Sequence, residues 1–115
     1  MKPINEMVTL EEWNVLLEDS TDSPILVFKH STSCMISARA FKHVQTFQQG
    51  GEDKMDCFMV KVIESRRLSN EIARDTKIPH KSPQILLINN QQVVWNTSHW
   101  KITEHRLRQA VRKYC

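Results

Sequence analysis

The apolar positions of the chain come in short runs with two different periods. Leu10, Trp13, Leu16 and Leu17 recur at the spacing of one helix face. Thr9 stands ahead of them with Glu12 three residues on, the capping-box arrangement, so a helix of about two to three turns is predicted to run to near Asp19. Ser20-Thr21-Asp22-Ser23-Pro24 breaks it. Ile25-Leu26-Val27-Phe28 is wholly apolar, as expected of a strand buried on both faces of a parallel sheet. Ile36, Ala40, Phe41, Val44 and Phe47 return to helical spacing, and Gln49-Gly50-Gly51 ends that helix where glycine can take a positive φ. Residues 57–63 read as a second buried strand, and 65 to about 77 as a shorter helix with Leu68, Ile72 and Ala73 inward. Residues 78–83 read as loop. Residues 84–88 and 92–95 flank Asn89-Asn90-Gln91, a tight hairpin whose asparagines tolerate the left-handed region. Thr103 caps a last helix through Leu107, Ala110, Val111 and Tyr114, and residues 4–8 add a short edge strand.

The order is helix, strand, helix, strand, helix, hairpin, helix. That order predicts an α/β sandwich around a mixed sheet of four to five strands, with residues 1–115 as one domain. No repeat, low-complexity segment or dividing linker interrupts it. The charge balance, 16 Lys+Arg against 13 Asp+Glu, is too weak and too scattered to argue for nucleic acid. Arg106, Arg108, Arg112 and Lys113 read as a solvated helix face. No segment has the roughly 20 apolar residues of a membrane span, and the charged N-terminal stretch lacks a signal-peptide core. The expectation is a soluble cytoplasmic protein with thiols kept reduced.

Three cysteines, an odd number at spacings of 23 and 58, fit neither a disulfide framework nor a zinc knuckle. Cys57 reads as core and Cys115 as mobile. Cys34 differs, because pattern places it at the carboxyl end of a strand and in the first turn of a helix. Ligands gather at that edge of an open α/β sheet. Unpaired N–H groups and the positive end of the helix dipole favour thiolate there, and such sites lower a cysteine pKa from about 8.5 into the range of roughly 3.5–7.5. Lys29, His30 and His80 add positive potential if they lie close, and Ser31, Thr32 and Ser33 are candidate caps. Ser37 stands one turn further on, with its hydroxyl able to face the sulfur but unable to form a disulfide. A mixed disulfide on Cys34 must then be resolved by an outside thiol, or by Cys57 or Cys115. A phosphatase-like loop is rejected for want of glycine and a suitably spaced arginine. No second ligand pair accompanies Cys34 and His30, so no metal is expected. Ser82-Pro83 precedes a strand, although cis bonds make up only about 5–6 % of X–Pro cases.

Cys34-x-x-Ser37 at a helix start and Ser82-Pro83 before a hairpin together resemble the thioredoxin fold. HSTSC-x-IS, ESRRLSNEIA, IPHKSPQILLI and the stretch Trp95 to Thr103 are similar to the monothiol bacilliredoxins of the YtxJ type, over about residues 3–113. The resemblance implies a thiol-disulfide oxidoreductase that removes bacillithiol, a low-molecular-weight thiol, from mixed disulfides with proteins. It implies Cys34 as nucleophile, Ser37 beside it, and an external bacillithiol as co-substrate, with S-bacillithiolated proteins as partners. Ser33, Met35, Ser82 and Pro83 would shape the groove. Met35 is a departure, because the family often has proline there. Bacillithiol carries a malyl group and is anionic, and His80, Lys81, Arg66, Arg67 and the loop Thr97-Ser98-His99 are candidate partners for its carboxylates. Ser98 and Thr103 also stand where a helix start binds anions. The alternative is a catalytically silent adaptor that uses the same groove.

Overall fold

The computed structural model describes residues 4–50 and 55–115. The elements are β1 (Asn5–Glu6), α1 (Leu10–Asp19), β2 (Ile25–His30), α2 (Met35–Gln49), β3 (Asp56–Lys61), α3 (Arg66–Thr76), β4 (Gln84–Asn89), β5 (Gln92–Ser98), a short 3-10 turn (His99–Lys101) and α4 (Glu104–Tyr114). The five strands lie in the order β1-β3-β2-β4-β5. β1, β3 and β2 run parallel, while β4 is antiparallel to both β2 and β5.

This topology explains the unbroken apolar run of β2. It is the central strand, with neighbours on both edges and a helical layer on each face. Leu26 and Phe28 join Ala40, Val44, Phe47, Ile85, Leu87, Leu107 and Val111 in the core under α2 and α4. Ile25 and Val27 join Trp13, Leu16, Val60, Leu68, Ile72, Leu86 and Ile88 in the core under α1 and α3. Alternate side chains of one strand thus feed two cores. The strand also outlasts its apolar run. Lys29 and His30 continue it and are buried.

Four local readings change. β3 stops at Lys61, and Ile63 beyond it is 52 % exposed. Gly50 ends α2 at φ −65°, so positive φ is not what it supplies. A Cβ there would collide with the guanidinium of Arg108, so the small residue makes room for α4; Gly51 lies outside the described residues. Arg108 lies over the Phe47 ring and pairs with Glu104 at 2.9 Å. Arg106 lies over Trp95 and donates to Thr97 Oγ1 at 2.9 Å. Half of the basic group assigned to a solvated face is therefore packed. In the hairpin the left-handed residues are Asn90 and Gln91, at φ 53° and 65°, while Asn89 closes β4. Two consecutive positive φ values are what a two-residue type I′ turn requires.

Candidate active site

Four loops converge on one edge of the sheet. The register of β2 with β4 pairs Lys29 with Gln84, so His30 and Pro83 are next in line where the strands part. The Ser82–Pro83 bond is cis. The Pro83 carbonyl accepts the His99 N–H at 3.0 Å, which joins the end of β5 to this loop. The Val62 N–H donates to the His30 carbonyl at 3.0 Å, and Thr32 Oγ1 donates to Glu64 Oε2 at 3.3 Å. The loop after β3 is thereby held against the loop that carries Cys34.

Cys34 is itself the N-cap of α2, with extended backbone (φ −113°, ψ 127°), and its carbonyl accepts the Ala38 N–H at 3.0 Å. None of Ser31, Thr32 and Ser33 supplies a side-chain cap, contrary to expectation: Thr32 reaches Glu64, and the Ser31 and Ser33 hydroxyls lie 3.3 Å apart. The thiol is partly exposed. Its pKa is lowered by the Ser37 backbone N–H above all; burial, the next-largest influence, pushes the other way, and the Ile36 N–H and the Ser37 hydroxyl add smaller downward pulls. Anionic sulfur at a helix start is stabilised by donors that have no intrahelical partner. Among the described residues these influences come from the helix start alone, with no contribution from Lys29, His30 or His80.

Ser37 is fully buried beneath this turn, and its Oγ accepts the Ser31 N–H at 3.2 Å. It therefore ties the Cys34 loop to α2 as well as facing the sulfur. Met35, next to Cys34, is 88 % exposed. His30 is buried between the rings of Phe28 and Phe41, each centroid 5.3 Å away. Burial first, and Lys61 second, lower its pKa against the pull of Glu64, so the ring is neutral and is no cation for the thiolate.

The remaining sequence candidates divide. Ser82 is half-buried beside buried Pro83, and its hydroxyl has no partner among the described residues. His80 Nδ1 lies 3.2 Å from Ser69 Oγ and 3.4 Å from Lys29 Nζ. Arg66, Arg67 and Lys81 are all exposed, and of the three Arg66 helps to lower the His80 pKa. Ser98 is half-buried, and His99 is exposed with φ 55°. The start of α4 is filled from within. Thr103 Oγ1 accepts the Arg106 N–H at 3.2 Å, and His43 Nδ1 accepts the Glu104 N–H at 3.1 Å. That start offers no ready anion site, a correction to the reading of Thr103. Cys57 is buried in the core, Cys115 is exposed, and neither forms a disulfide. No group of three or more metal-ligating side chains occurs among the described residues.

A thiol acidified by a helix start, beside a cis-proline loop on an α/β sandwich, is an arrangement for thiol-disulfide exchange. The family model described as monothiol bacilliredoxin BrxC matches residues 5–107. The chain belongs to the monothiol bacilliredoxin family. It is similar to a solved thioredoxin-fold protein described as an oxidoreductase, with 30 % identity, a TM-score of 0.85, and 94 % and 93 % of the two chains covered. Fasciola hepatica thioredoxin superposes with a TM-score of 0.78 at 13 % identity, covering 97 % of this chain and 100 % of that one. Mitochondrial thioredoxin 3 from Saccharomyces cerevisiae gives 0.74 at 15 % identity, covering 96 % and 94 %. At those identities the thioredoxins show the fold alone. This bacilliredoxin has the thioredoxin fold and is a thiol oxidoreductase by family. No described helix is long and apolar enough to cross a membrane.

Sequence reasoning singled out Lys29 and His80 as possible cations near Cys34 but missed that Lys29, buried with Ser69 and Gln84, meets the exposed His80 instead. The one available signal was a lysine prolonging an apolar run that topology buries on both faces.

Proposed function

We propose that the protein removes bacillithiol from protein mixed disulfides through Cys34. The Cys34 thiolate attacks the bacillithiol sulfur of the mixed disulfide. The old S–S bond breaks, the protein leaves as thiolate, and a Cys34–bacillithiol disulfide forms. A second bacillithiol thiolate then attacks that disulfide, releasing Cys34 as thiolate and bacillithiol as its own disulfide. One free bacillithiol is thus consumed per turnover and supplies the reducing equivalents, leaving as a disulfide with the bacillithiol taken from the protein, and no cofactor enters these steps. The observation that carries this reading is the buried Ser37 under a thiolate-stabilising turn. The position that could hold an internal resolving thiol holds a buried hydroxyl, which cannot form a disulfide and helps to lower the thiol pKa. The family match supports the choice of thiol. The cis-proline loop would receive the extended backbone of the modified protein, with Ser33 and Met35 on the rim opposite Ser82.

The test is intact mass after exposure to oxidised bacillithiol. One adduct is expected on the wild type, none on Cys34→Ser, and one on both Cys57→Ser and Cys115→Ser. An adduct retained by Cys34→Ser would move the site elsewhere. A protein-binding adaptor is the competing reading, favoured by exposed Met35 and by Trp100, which is 62 % exposed. It has no need of an acidified thiol. A Cys34 alkylation midpoint near the ordinary value of about 8.5 would favour the adaptor.

A further inference from the structure

Lys29 is a buried charge that the exchange chemistry above does not use. Its side chain is 0 % exposed, and no carboxylate among the described residues pairs with it. The ammonium donates to the Ser69 carbonyl at 2.9 Å and lies 3.4 Å from His80 Nδ1, with the Ser69 hydroxyl 3.2 Å from the same nitrogen. An ammonium has donors only. The nitrogen facing it must present its lone pair, which drives the imidazole proton to Nε2. Gln84, paired with Lys29 in the sheet, holds the Pro79 carbonyl at 3.0 Å and so braces the same loop. His80 is otherwise exposed, three residues ahead of Pro83. Burial first, then Lys29 from β2 and Arg66 from α3, keep its ring neutral.

A lone buried cation is an expensive way to fill space, and an apolar side chain of similar volume is often as stable or more so. Such violations concentrate at functional sites. We propose that Lys29 is a positioning residue that fixes His80 as the neutral Nε2–H tautomer, so that His80 presents a hydrogen-bond donor to a carboxylate of the small thiol that reaches Cys34. The identity of that thiol rests on the function proposed above, whereas the tautomer does not.

Two measurements test this. Histidine-nitrogen NMR of the wild-type protein at neutral pH reads the tautomer directly. The expected result is an unprotonated Nδ1 and a protonated Nε2 on His80. In Lys29→Met the preference is lost and the His80 pKa rises. A wild-type Nδ1–H tautomer, or an unchanged ring in Lys29→Met, overturns the inference. The second measurement is the rate of Cys34 attack on bacillithiol disulfide relative to bis(hydroxyethyl) disulfide, which has no carboxylate. Lys29→Met and His80→Ala are expected to reduce this preference by about tenfold, the scale of one hydrogen bond to a charged group. His80→Gln, whose amide N–H reaches where Nε2–H does, restores most of it. A preference equal to wild type in Lys29→Met and His80→Ala overturns the subsite. A wild type with no preference at all overturns the proposed thiol and the subsite with it, while the tautomer result stands by itself.

Discussion

The influences that lower the Cys34 pKa come from its own helix start, the Ser37 and Ile36 N–H groups and the Ser37 hydroxyl, so its acidity is set locally. Ser37→Ala removes the hydroxyl and leaves the two backbone N–H groups. The Cys34 pKa is then expected to rise yet stay below the free-cysteine value, read as the midpoint of iodoacetamide alkylation against pH. An unmoved midpoint would count against the hydroxyl as donor. The same change strips the acceptor from the Ser31 N–H, at about 1–3 kcal/mol of stability in urea unfolding. Lys29 gives a pH dependence of its own. Burial lowers its pKa to about 8, whereas an unfolded lysine titrates at about 10.4. Between these values the unfolded chain binds more protons than the folded one, so stability rises as pH increases through that window. Urea titrations from neutral to alkaline pH are expected to show this rise in the wild type and a flatter profile in Lys29→Met. Cys34 and Ser37 were legible because they are neighbours on one helix. Lys29 and His80 stand 51 positions apart, and no periodicity announces such a meeting.

The starts of α1 and α4 were legible for the same local reason. Thr9 and Glu12 make both arms of the capping box, and the two backbone N–H groups of Thr9 and Val8 lower the Glu12 pKa. Seams between elements were not legible. Trp13 of α1 is fully buried, and its indole N–H donates to Asp75 Oδ2 of α3 at 2.9 Å across 62 positions of sequence. Asp75→Ala leaves that donor without its acceptor and is expected to destabilise by about 1–3 kcal/mol in urea, with Asp75→Asn milder. Equal stability in all three proteins would mean that the indole finds another acceptor. Gly50 shows how a sound rule can misread a seam. Glycine at a helix end suggests a left-handed residue, but here it yields space to an arginine from a helix more than fifty positions away, which only the folded molecule brings near.

At the scale of the molecule, the sandwich could be read because burial leaves its mark on composition. β2 and β4, flanked on both edges, are nearly continuous apolar runs, while of the edge strands β1 is polar and β5 mixed. Strand order and the geometry of Pro83 leave no such mark. The end of the sheet away from Cys34 has its own fastening. Ser20, fully buried, closes α1, and its carbonyl and hydroxyl accept the N–H groups of Asn90 and Gln91 at 2.8 and 2.9 Å. Amides in exposed turns commonly exchange with solvent through small local openings. These two are expected to exchange slowly, in step with the last turn of α1, and Ser20→Ala to quicken Gln91 more than Asn90. Fast exchange of both in the wild type would show that the clamp opens by itself. Opposite poles of the molecule can thus be followed in one sample, thiol reactivity at Cys34 and hydrogen exchange at the turn. Bacillithiol bound at one pole would leave the other unchanged unless the sheet between them loosens.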